Sequence, residues 1–501
     1  MTDQTPNAWR CSVCGYVHQG ASPPDVCPIC GASRDDFEPY VDETRPSARD
    51  GAERWKCLNC GHVHVGSQPP ERCPVCGART DRFEPVDVPA EQAASTSQPK
   101  QVVIVGAGIA GISAAESLRA ASPSTEIVLI SREKGLPYYR LNLTRYLAGE
   151  VAEQELPLRP EGWYEEQNIA LKDGAEVADL ALDEHVVRLR DGESVPFEKL
   201  ILTAGSHPFV PPFPGATRGG VTSLRTLDDA RQILQSIPAG PRCVCIGGGI
   251  LGLEAVGGLA RRGANVTLLE GHGWLLPRQL NETAASIVEQ HVAKLGINLL
   301  KGASVAEILG DERVRGVQLK DGATVPADLV IIATGVRPNS YLARQAGLEV
   351  NQGVVVDNHL VTSHSDVLAA GDVAEHRGVV YGLWNPSQYQ GSIAGMNAAG
   401  RTNEFGGIPR SNTLKVLGLD LFSIGQFEPT DASFEVCDER LEDRYWRFCF
   451  RDNALVGAIL LGDTTLTAPT KAAVERRADF SALLRKRPSA ADVKAHLTER
   501  A

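Results

Sequence analysis

The sequence predicts an α/β protein built around two parallel, doubly wound sheets. Two observations carry this prediction. A buried strand, a glycine-rich turn and a helix follow one another twice, in QVVIVGAGIAGISAAESLRAA and in RCVCIGGGILGLEAVGGLARR. Apolar strands also alternate with helical segments over roughly residues 101–400. A chain of 501 residues is too long for one hydrophobic core, so several domains are expected.

The composition is that of an ordinary folded protein and argues against several functions. Hydrophobic residues make up 43% and charged residues 22% of the chain. The net charge of −12 leaves no basic stripe for phosphates, which argues against a nucleic-acid partner. No apolar run is long enough to span a membrane, and the first residues, MTDQTPNAWRCSVCG, lack the apolar region of a secretory signal. We therefore expect a cytoplasmic protein without a membrane partner.

Two copies of one cysteine-rich segment open the chain, the first starting at Trp9 and the second at Trp55. Each copy holds two CxxC pairs separated by twelve residues, an arrangement that places four thiolates around one metal ion. In a reducing compartment this spacing indicates metal ligation rather than disulfides. The predicted ligands are Cys11, Cys14, Cys27 and Cys30 in the first copy, and Cys57, Cys60, Cys73 and Cys76 in the second.

The residues around these cysteines indicate which metal they bind. Both copies contain PP before the second pair, then CPxCG, and then a phenylalanine, Phe37 or Phe83. Together with Trp9 and Trp55 these residues resemble rubredoxin, in the short form found at the end of rubrerythrin. The resemblance implies one redox-active iron in each copy, two in all. Zinc remains an alternative, because a tetrahedral set of four thiolates accepts either metal.

The glycine-rich turns have the spacing of dinucleotide-binding fingerprints. The first consists of Gly106, Gly108 and Gly111, and the second of Gly247, Gly249 and Gly252. Glycines in such turns let the backbone approach a pyrophosphate, whose charge the helix N-terminus favours. Ordinary tight strand-to-helix turns are the alternative, but two such units in one chain are more specific than either alone.

Further motifs relate the two turns to a known family. Strands end at Thr203-Ala204-Gly205, at Ala333-Thr334-Gly335 and at LAAGD, which contains Gly371 and Asp372. This set resembles the pyridine-nucleotide-disulfide-reductase superfamily over roughly residues 100–400. The resemblance implies that the first fingerprint, the Thr203–Gly205 segment, Gly371 and Asp372 bind FAD. It implies that the second fingerprint and Gly335 bind NAD(H).

Acidic residues near the two fingerprints are expected to bind the ribose rings. Glu270 ends the strand after the second fingerprint, where its carboxylate would accept from a ribose 2′-OH and repel a 2′-phosphate. The neighbours Gly271, His272 and Gly273 include no arginine, so NADH is favoured over NADPH. In the first unit the acid is expected at the end of TEIVLIS, but Ser131-Arg132-Glu133 stands there. Either Glu133 has slipped into the role by one residue, or the ribose is held otherwise.

The segment PYYRLNLTRYLAGE indicates the branch of the superfamily. Leu141 stands where the peroxidase branch has its cysteine, so thiol chemistry at the flavin is not expected. The segment resembles PYxRPLLSKxLxG of the branch that passes electrons to metal centres, which implies a role for Arg140 in binding FAD. The resemblance also implies a pair between Arg145 and Glu254 beside the flavin. Charged residues that merely decorate helix surfaces are the alternative. Cys243, Cys245, Cys437 and Cys449 lie in apolar strands and are predicted to be small core residues.

TLKVLGLDLFSIGQF and LVGAILLGD resemble the C-terminal domain of rubredoxin reductases. The predicted fold class is thus α/β, with two Rossmann-like dinucleotide-binding domains and a small α+β C-terminal domain, preceded by two small metal-bound rubredoxin-like domains. The predicted bounds are 1–45 and 46–86 for the rubredoxin-like domains, 87–100 for a flexible linker, 101–222 with 323–402 for the FAD-binding domain, 223–322 for the NAD(H)-binding domain and 403–501 for the C-terminal reductase domain.

These features predict an enzyme that passes electrons from NADH through FAD to its own iron sites and then to an external acceptor protein. One alternative is a flavoprotein that reduces O₂ or peroxide directly. A second has the Cys₄ domains as zinc-bound docking elements, and a third is a flavoprotein that senses NAD(H) with little turnover. The family resemblance also allows a homodimer.

Overall fold

The fold is that of a computed structural model, which describes residues 98–236, 240–408 and 411–499. Ahead of residue 98 it describes six short strands and the positions 22, 23, 34, 68, 69 and 80. The six strands are β1 (Ala8–Cys11), β2 (Val17–Gln19), β3 (Phe37–Pro39), β4 (Arg54–Cys57), β5 (Val63–Val65) and β6 (Phe83–Pro85).

Both N-terminal repeats form the same three-stranded antiparallel sheet, with order β2-β1-β3 in the first and β5-β4-β6 in the second. Cys11 lies opposite Phe37, and Cys57 lies opposite Phe83, so the two copies share one register. Only the backbones of Cys11 and Cys57 belong to described strands; the side chains of all eight predicted ligands lie outside what the structure describes. Among the described side chains, no group of three or more His, Cys, Asp or Glu could hold a metal ion.

Residues 101–222 form most of the first α/β unit. Their elements in chain order are β7 (Gln101–Val105), α1 (Ile109–Ala121), β8 (Glu126–Ser131), α2 (Leu143–Ala148), α3 (Glu161–Glu166), β9 (Ile169–Asp173), β10 (Val177–Ala181), β11 (Val186–Leu189), β12 (Ser194–Pro196), β13 (Lys199–Leu202), β14 (Ser206–Pro208) and β15 (Val221–Thr222).

The second α/β unit follows. Its elements are α4 (Leu227–Gln235), β16 (Arg242–Ile246), α5 (Ile250–Arg261), β17 (Asn265–Glu270), α6 (Glu282–Lys294), β18 (Asn298–Lys301), β19 (Val305–Gly310), β20 (Val314–Leu319), β21 (Thr324–Pro326), β22 (Leu329–Ile332) and β23 (Val336–Pro338).

The chain then returns to the first unit and ends in a separate sheet with helices. The returning elements are α7 (Tyr341–Gln345), β24 (Val354–Val356), β25 (Val367–Ala369), β26 (Ala374–His376) and α8 (Trp384–Ala398). The last ones are β27 (Ser411–Val416), β28 (Leu419–Gly425), β29 (Phe434–Arg440), β30 (Tyr445–Arg451), β31 (Ala454–Leu461), α9 (Thr467–Glu475), α10 (Ser481–Leu484) and α11 (Ala490–Glu499).

Two parallel five-stranded sheets share one topology. The first has the order β25-β13-β7-β8-β9 and the second the order β15-β22-β16-β17-β18. In each sheet the central strand, β7 or β16, leads through a glycine-rich turn into a helix. This arrangement confirms the predicted α/β class with two Rossmann-like units. The second sheet includes β15 and β22, so it extends from Val221 to Ile332, beyond the predicted range 223–322.

Small residues let two helices of the first unit pack closely. Gly391 and Gly395 of α8 lie against the backbone of Ala110 and Ala114 of α1, and a Cβ on either glycine would collide with a carbonyl oxygen of α1. No side chain therefore separates the two helices there. Ahead of α8, Gly371 also lies close to Ala110 at the start of α1, and the next residue, Asp372, belongs to the candidate site.

The C-terminal sheet has the order β27-β28-β31-β30-β29 and buries both of its faces. Leu421 and Ile459 share a hydrophobic core with residues of α5 and α6. Phe422 and Phe448 share another core with residues of α9 and α11. Five strands followed by helices, the first of which starts at Thr467, agree with the predicted α+β class of this domain.

Within the part of the chain that the structure describes, every helix is too short or too polar to cross a lipid bilayer.

The contact between α1 and α8 predicts a stability defect for Gly395→Ala. The added methyl group would meet the carbonyl oxygen of Ala114, so we expect the free energy of unfolding to fall by about 1–3 kcal/mol. Urea denaturation followed by circular dichroism measures the change. Gly162→Ala in α3 is the matched control, because a Cβ at Gly162 would have no atom within 4 Å. An equal loss in both variants would contradict the role of the close contact.

Candidate functional site

The turn between β7 and α1 forms an open cradle in front of a helix. Gly106 has φ +109°, a conformation that side chains rarely adopt, and a Cβ there would strike the carbonyl oxygen of Thr203. A Cβ on Gly111 would strike the carbonyl oxygen of Gly106. A Cβ on Gly108, in contrast, would have no atom within 4 Å. The space before the first turn of α1 is therefore free for a pyrophosphate, as the fingerprint predicts.

Thr203 fixes this cradle from the neighbouring strand. Its hydroxyl donates to the carbonyl oxygen of Gly106 at 2.7 Å and to that of Val105 at 3.1 Å. The backbone of Ala204 accepts a hydrogen bond from the side chain of Asn339 at 2.7 Å, and Gly205 has φ +66°. The Thr203–Gly205 segment is thus placed beside the first fingerprint, where the sequence predicts it.

Asp372 lies at the centre of a polar cluster in the first unit. Its Oδ2 accepts from the Ser206 hydroxyl at 2.8 Å and from Nη2 of Arg225 at 3.2 Å. Its Oδ1 accepts from the Ser387 hydroxyl at 3.2 Å. Burial, and then the nearby positive charge of Arg140, lower the pKa of Arg225. Sequence reasoning found Asp372 but missed its three partners, whose types and spacing carry no signal of their own.

Gln390 supplies an observation that fits a bound cofactor. Its Oε1 accepts from the backbone N–H of Gly371 at 2.8 Å. Its Nε2 is buried and has no hydrogen-bond partner, although a buried donor is costly to leave unpaired. Gly371 has φ +82° and precedes Asp372. An orphaned amide donor beside this cluster, together with the open cradle at Gly108, fits FAD at this end of the unit.

Glu133 and Arg140, both predicted to bind FAD, pair with each other. Nη2 of Arg140 lies 2.6 Å from Oε1 of Glu133, and the Tyr138 hydroxyl donates to Oε2 of Glu133 at 2.5 Å. Gly106 N–H donates to the carbonyl of Ile130, as Gly247 N–H does to that of Leu269. Ser131 is therefore the counterpart of Glu270, and Glu133 lies two residues past that position. This corrects the predicted slip of one residue, while ribose binding by Glu133 remains a prediction.

The second fingerprint repeats the geometry of the first. Gly247 has φ +114°, and a Cβ there would lie 2.5 Å from the carbonyl oxygen of Ala333. A Cβ on Gly252 would strike the carbonyl oxygen of Gly247, while one on Gly249 would have no atom within 4 Å. Gly335, predicted to bind NAD(H), has φ +110° and follows β22 at the same end of the sheet. The cradle before α5 is thus open for a second pyrophosphate.

Glu270 is the last residue of β17, and backbone N–H groups hold its carboxylate in place. Its Oε2 accepts from the backbone N–H of Gly248 at 2.8 Å, and its Oε1 accepts from that of His272 at 2.7 Å. The carboxylate is thereby placed beside the second cradle, where the sequence predicts the residue that selects between NADH and NADPH.

Arg145 and Glu254, which are predicted to pair beside the flavin, also contact other side chains. Nε of Arg145 lies 3.2 Å from Oε2 of Glu150. Glu254 accepts from the Thr144 hydroxyl at 2.8 Å. Thr144 of α2 is thus a partner of the carboxylate that the sequence did not predict, and the pair of Arg145 and Glu254 remains a prediction. Burial raises the pKa of Glu254 to about 7, while Thr144 and the charge of Arg145 act in the opposite direction.

The four remaining cysteines take no part in this site. Cys243, Cys245 and Cys449 are buried and Cys437 is half-buried, as predicted for small core residues. Burial raises the pKa of Cys243 to about 11 and that of Cys245 to about 12, which leaves both as unreactive thiols. Leu141, at the position of the cysteine in the peroxidase branch, is exposed.

The buried carboxyl group of Glu254 predicts a pH-dependent effect of Glu254→Gln. An unfolded glutamate loses its proton near pH 4.5, whereas Glu254 in the folded protein keeps it to about pH 7. Its contribution to stability is therefore present below pH 4.5 and is lost as the pH rises through 7. We expect the variant to match the wild type at pH 4.5 and to be more stable at pH 8, by up to about 3 kcal/mol.

Urea denaturation at the two pH values measures this difference. Glu150→Gln is the matched control, because it removes the other carboxylate near Arg145 from an exposed position. A stability difference between Glu254→Gln and the wild type that stays constant from pH 4.5 to 8 would contradict the assignment.

Comparisons with known proteins agree with this geometry. A family model for "Pyridine nucleotide-disulphide oxidoreductase" matches residues 100–392. A model for the "Rubredoxin NAD+ reductase C-terminal domain" matches residues 411–478. A model for the "Rubrerythrin, rubredoxin-like domain" matches residues 9–38 and 55–84. These three matches cover both repeats, both dinucleotide units and the C-terminal sheet.

Individual relatives differ in how much of their length they share with this chain. The NADH-rubredoxin oxidoreductase of Clostridium acetobutylicum is 30% identical over 380 residues, which are 76% of this chain and 96% of that protein. The nitrite reductase [NAD(P)H] of Bacillus subtilis is 35% identical over 387 residues, again 76% of this chain but 48% of that protein. The chain thus spans about half, or less, of the nitrite and nitrate reductase proteins that it matches.

Solved structures show the same likeness. The crystal structure of NADH:rubredoxin oxidoreductase from Clostridium acetobutylicum matches with a TM-score of 0.66 and 29% identity, over 77% of this chain and 97% of that one. The reductase in a covalent putidaredoxin reductase–putidaredoxin complex matches with a TM-score of 0.70 and 27% identity, over 76% of this chain and 94% of that one. The chain therefore belongs to the pyridine nucleotide-disulphide oxidoreductase family of FAD- and NAD(P)H-dependent enzymes, with two rubredoxin-like domains before the nucleotide-binding units and a rubredoxin reductase C-terminal domain after them.

Proposed function

We propose that this protein carries electrons from NADH through FAD to its own two rubredoxin-type iron sites, and from there to an external acceptor protein. The observation that carries the proposal is the presence, in one chain, of two open dinucleotide cradles and two Cys₄ repeats. The relative from Clostridium acetobutylicum, named as an NADH-rubredoxin oxidoreductase, supports the same reaction.

Each of the two units would bind a different cofactor. The first cradle, with Asp372 and Gln390, would hold FAD, and the second, with Glu270, would hold NADH. Four thiolates in each repeat fit a single iron ion. When bound, these groups let NADH and two ferric ions become NAD⁺, a proton and two ferrous ions, because a flavin accepts a hydride and returns two electrons singly. The chain itself contributes binding, orientation and charge.

Trp55 supports electron transfer within the chain. It lies in β4 of the second repeat, is half-buried, and packs against the hydrophobic core of the first α/β unit. Cys57 follows two residues later in the same strand, about 7 Å along the backbone. A contact at Trp55 therefore brings the backbone of a predicted iron ligand close to the unit that would hold FAD.

Mixing the protein with NADH in the absence of oxygen tests the proposal. We expect the flavin band and the ferric-thiolate bands of the visible spectrum to bleach together, because electrons pass from one group to the other. Bleaching of the flavin in a protein whose repeats contain zinc would contradict the iron path. Rapid oxidation of NADH by O₂ or peroxide, with no bleaching of ferric bands, would support the direct reaction of the flavin instead.

Single-site variants test whether the second repeat is the nearer acceptor. Cys76→Ser should remove the metal ion of the second repeat. The ferric-thiolate band of the first repeat should then bleach roughly tenfold more slowly, or slower still, because the contact at Trp55 no longer holds a metal site close to the flavin. Cys30→Ser is the matched control, and should leave the bleaching rate of the second repeat unchanged. Metal analysis confirms one ion per variant. Equal rates in both variants would show that neither repeat has a preferred place at the flavin.

A further inference from the structure

A histidine stands beside the acidic residue of the second cradle. The backbone N–H of His272 donates to Oε1 of Glu270 at 2.7 Å, and its ring nitrogen Nδ1 lies 2.8 Å from the same oxygen. Oε2 of Glu270 accepts a hydrogen bond from the backbone N–H of Gly248 at 2.8 Å. The side chain of Glu270 is only 7% exposed, while that of His272 is 70% exposed. At this end of the cradle, solvent and ligand therefore meet the imidazole before the carboxylate.

The contact with Glu270 fixes the tautomer of the ring. Carboxylate oxygens accept hydrogen bonds, so Nδ1 of His272 carries the proton and Nε2 is left for a ligand. A neutral ring offers an acceptor at Nε2 to a ribose 2′-OH. A protonated ring offers a donor and a positive charge, which is what a 2′-phosphate needs.

We propose that His272 makes the coenzyme preference of this site depend on pH: the neutral ring favours NADH, and the protonated ring admits the 2′-phosphate of NADPH. The inference rests on the proposed role of the second cradle as the NAD(H) site. It goes beyond that role because Glu270 alone would reject NADPH at every pH at which its carboxylate is charged.

Other charged groups also surround this turn. Glu270 itself faces the ring from β17. Lys301 of β18 pairs with Glu289 of α6 at 2.7 Å between Nζ and Oε2, so the two charges offset each other. Arg278, further along the turn, is exposed. Histidine is the side chain that ordinarily changes charge between pH 5 and 8, so the proposal is assigned to His272.

Equilibrium binding of NAD⁺ and NADP⁺ to the full-length protein tests the proposal without any electron transfer. The two ligands differ only in the 2′-phosphate, and isothermal titration calorimetry at pH 8 and pH 6 gives their dissociation constants. We expect the affinity for NADP⁺ relative to NAD⁺ to rise roughly five- to tenfold from pH 8 to pH 6, as for a charge-assisted hydrogen bond at an exposed site. The 2′-phosphate itself gains protons near pH 6, which works against this rise.

His272→Asn is the decisive variant, because asparagine keeps an amide donor for Glu270 but never becomes charged. The relative affinity should then stay constant with pH. His364→Asn, in the first unit, is the matched control and should behave as the wild type does. A constant ratio in the wild type, or the same rise in His272→Asn, would overturn the proposal. If neither nucleotide binds at either pH, the assignment of the NAD(H) site is itself wrong and the inference falls with it.

Discussion

The close approach of backbone to backbone at two strand-to-helix turns is the constraint on which the rest of the site depends. At Gly106 and at Gly247 the chain adopts a positive φ, and a side chain would strike the carbonyl of the neighbouring strand's end. Because of these contacts, the N-terminal turns of α1 and α5 face open space. There the backbone N–H groups and the helix dipole favour a pyrophosphate.

The two units share this strand–turn–helix geometry but differ in the polar side chains around it. The second unit keeps an acid, Glu270, at the end of its second strand, whereas the first has Ser131 there and carries the ion pair of Glu133 and Arg140 beyond it. In the first unit, α8 brings Gln390 and Ser387 to Asp372, and the second unit shows no such cluster among its described residues. The same fold thereby presents two different sets of polar groups, as the proposed binding of FAD by one unit and NADH by the other requires.

Much of this organisation follows from sequence patterns, since glycine spacing and strand hydrophobicity report local backbone geometry directly. The two fingerprints and Glu270 were predicted on that basis, and Asp372 from the family resemblance; the ligands that these residues bind remain predictions. Contacts that join distant segments were not predictable. The Thr144 hydroxyl reaches Glu254 from 110 residues away, and Arg225 reaches Asp372 from 147 residues away. No local pattern specifies such partners, because the packing of α2 and α8 against other elements decides them.

The number of electrons that the protein accepts tests the central claim most directly. Anaerobic titration with NADH, followed in the visible spectrum, counts the equivalents needed for full reduction. One FAD takes two electrons and two ferric ions take one each, so the account predicts an end point at about two NADH molecules per chain. An end point at about one NADH per chain, with the flavin alone reduced, would contradict the path from flavin to iron.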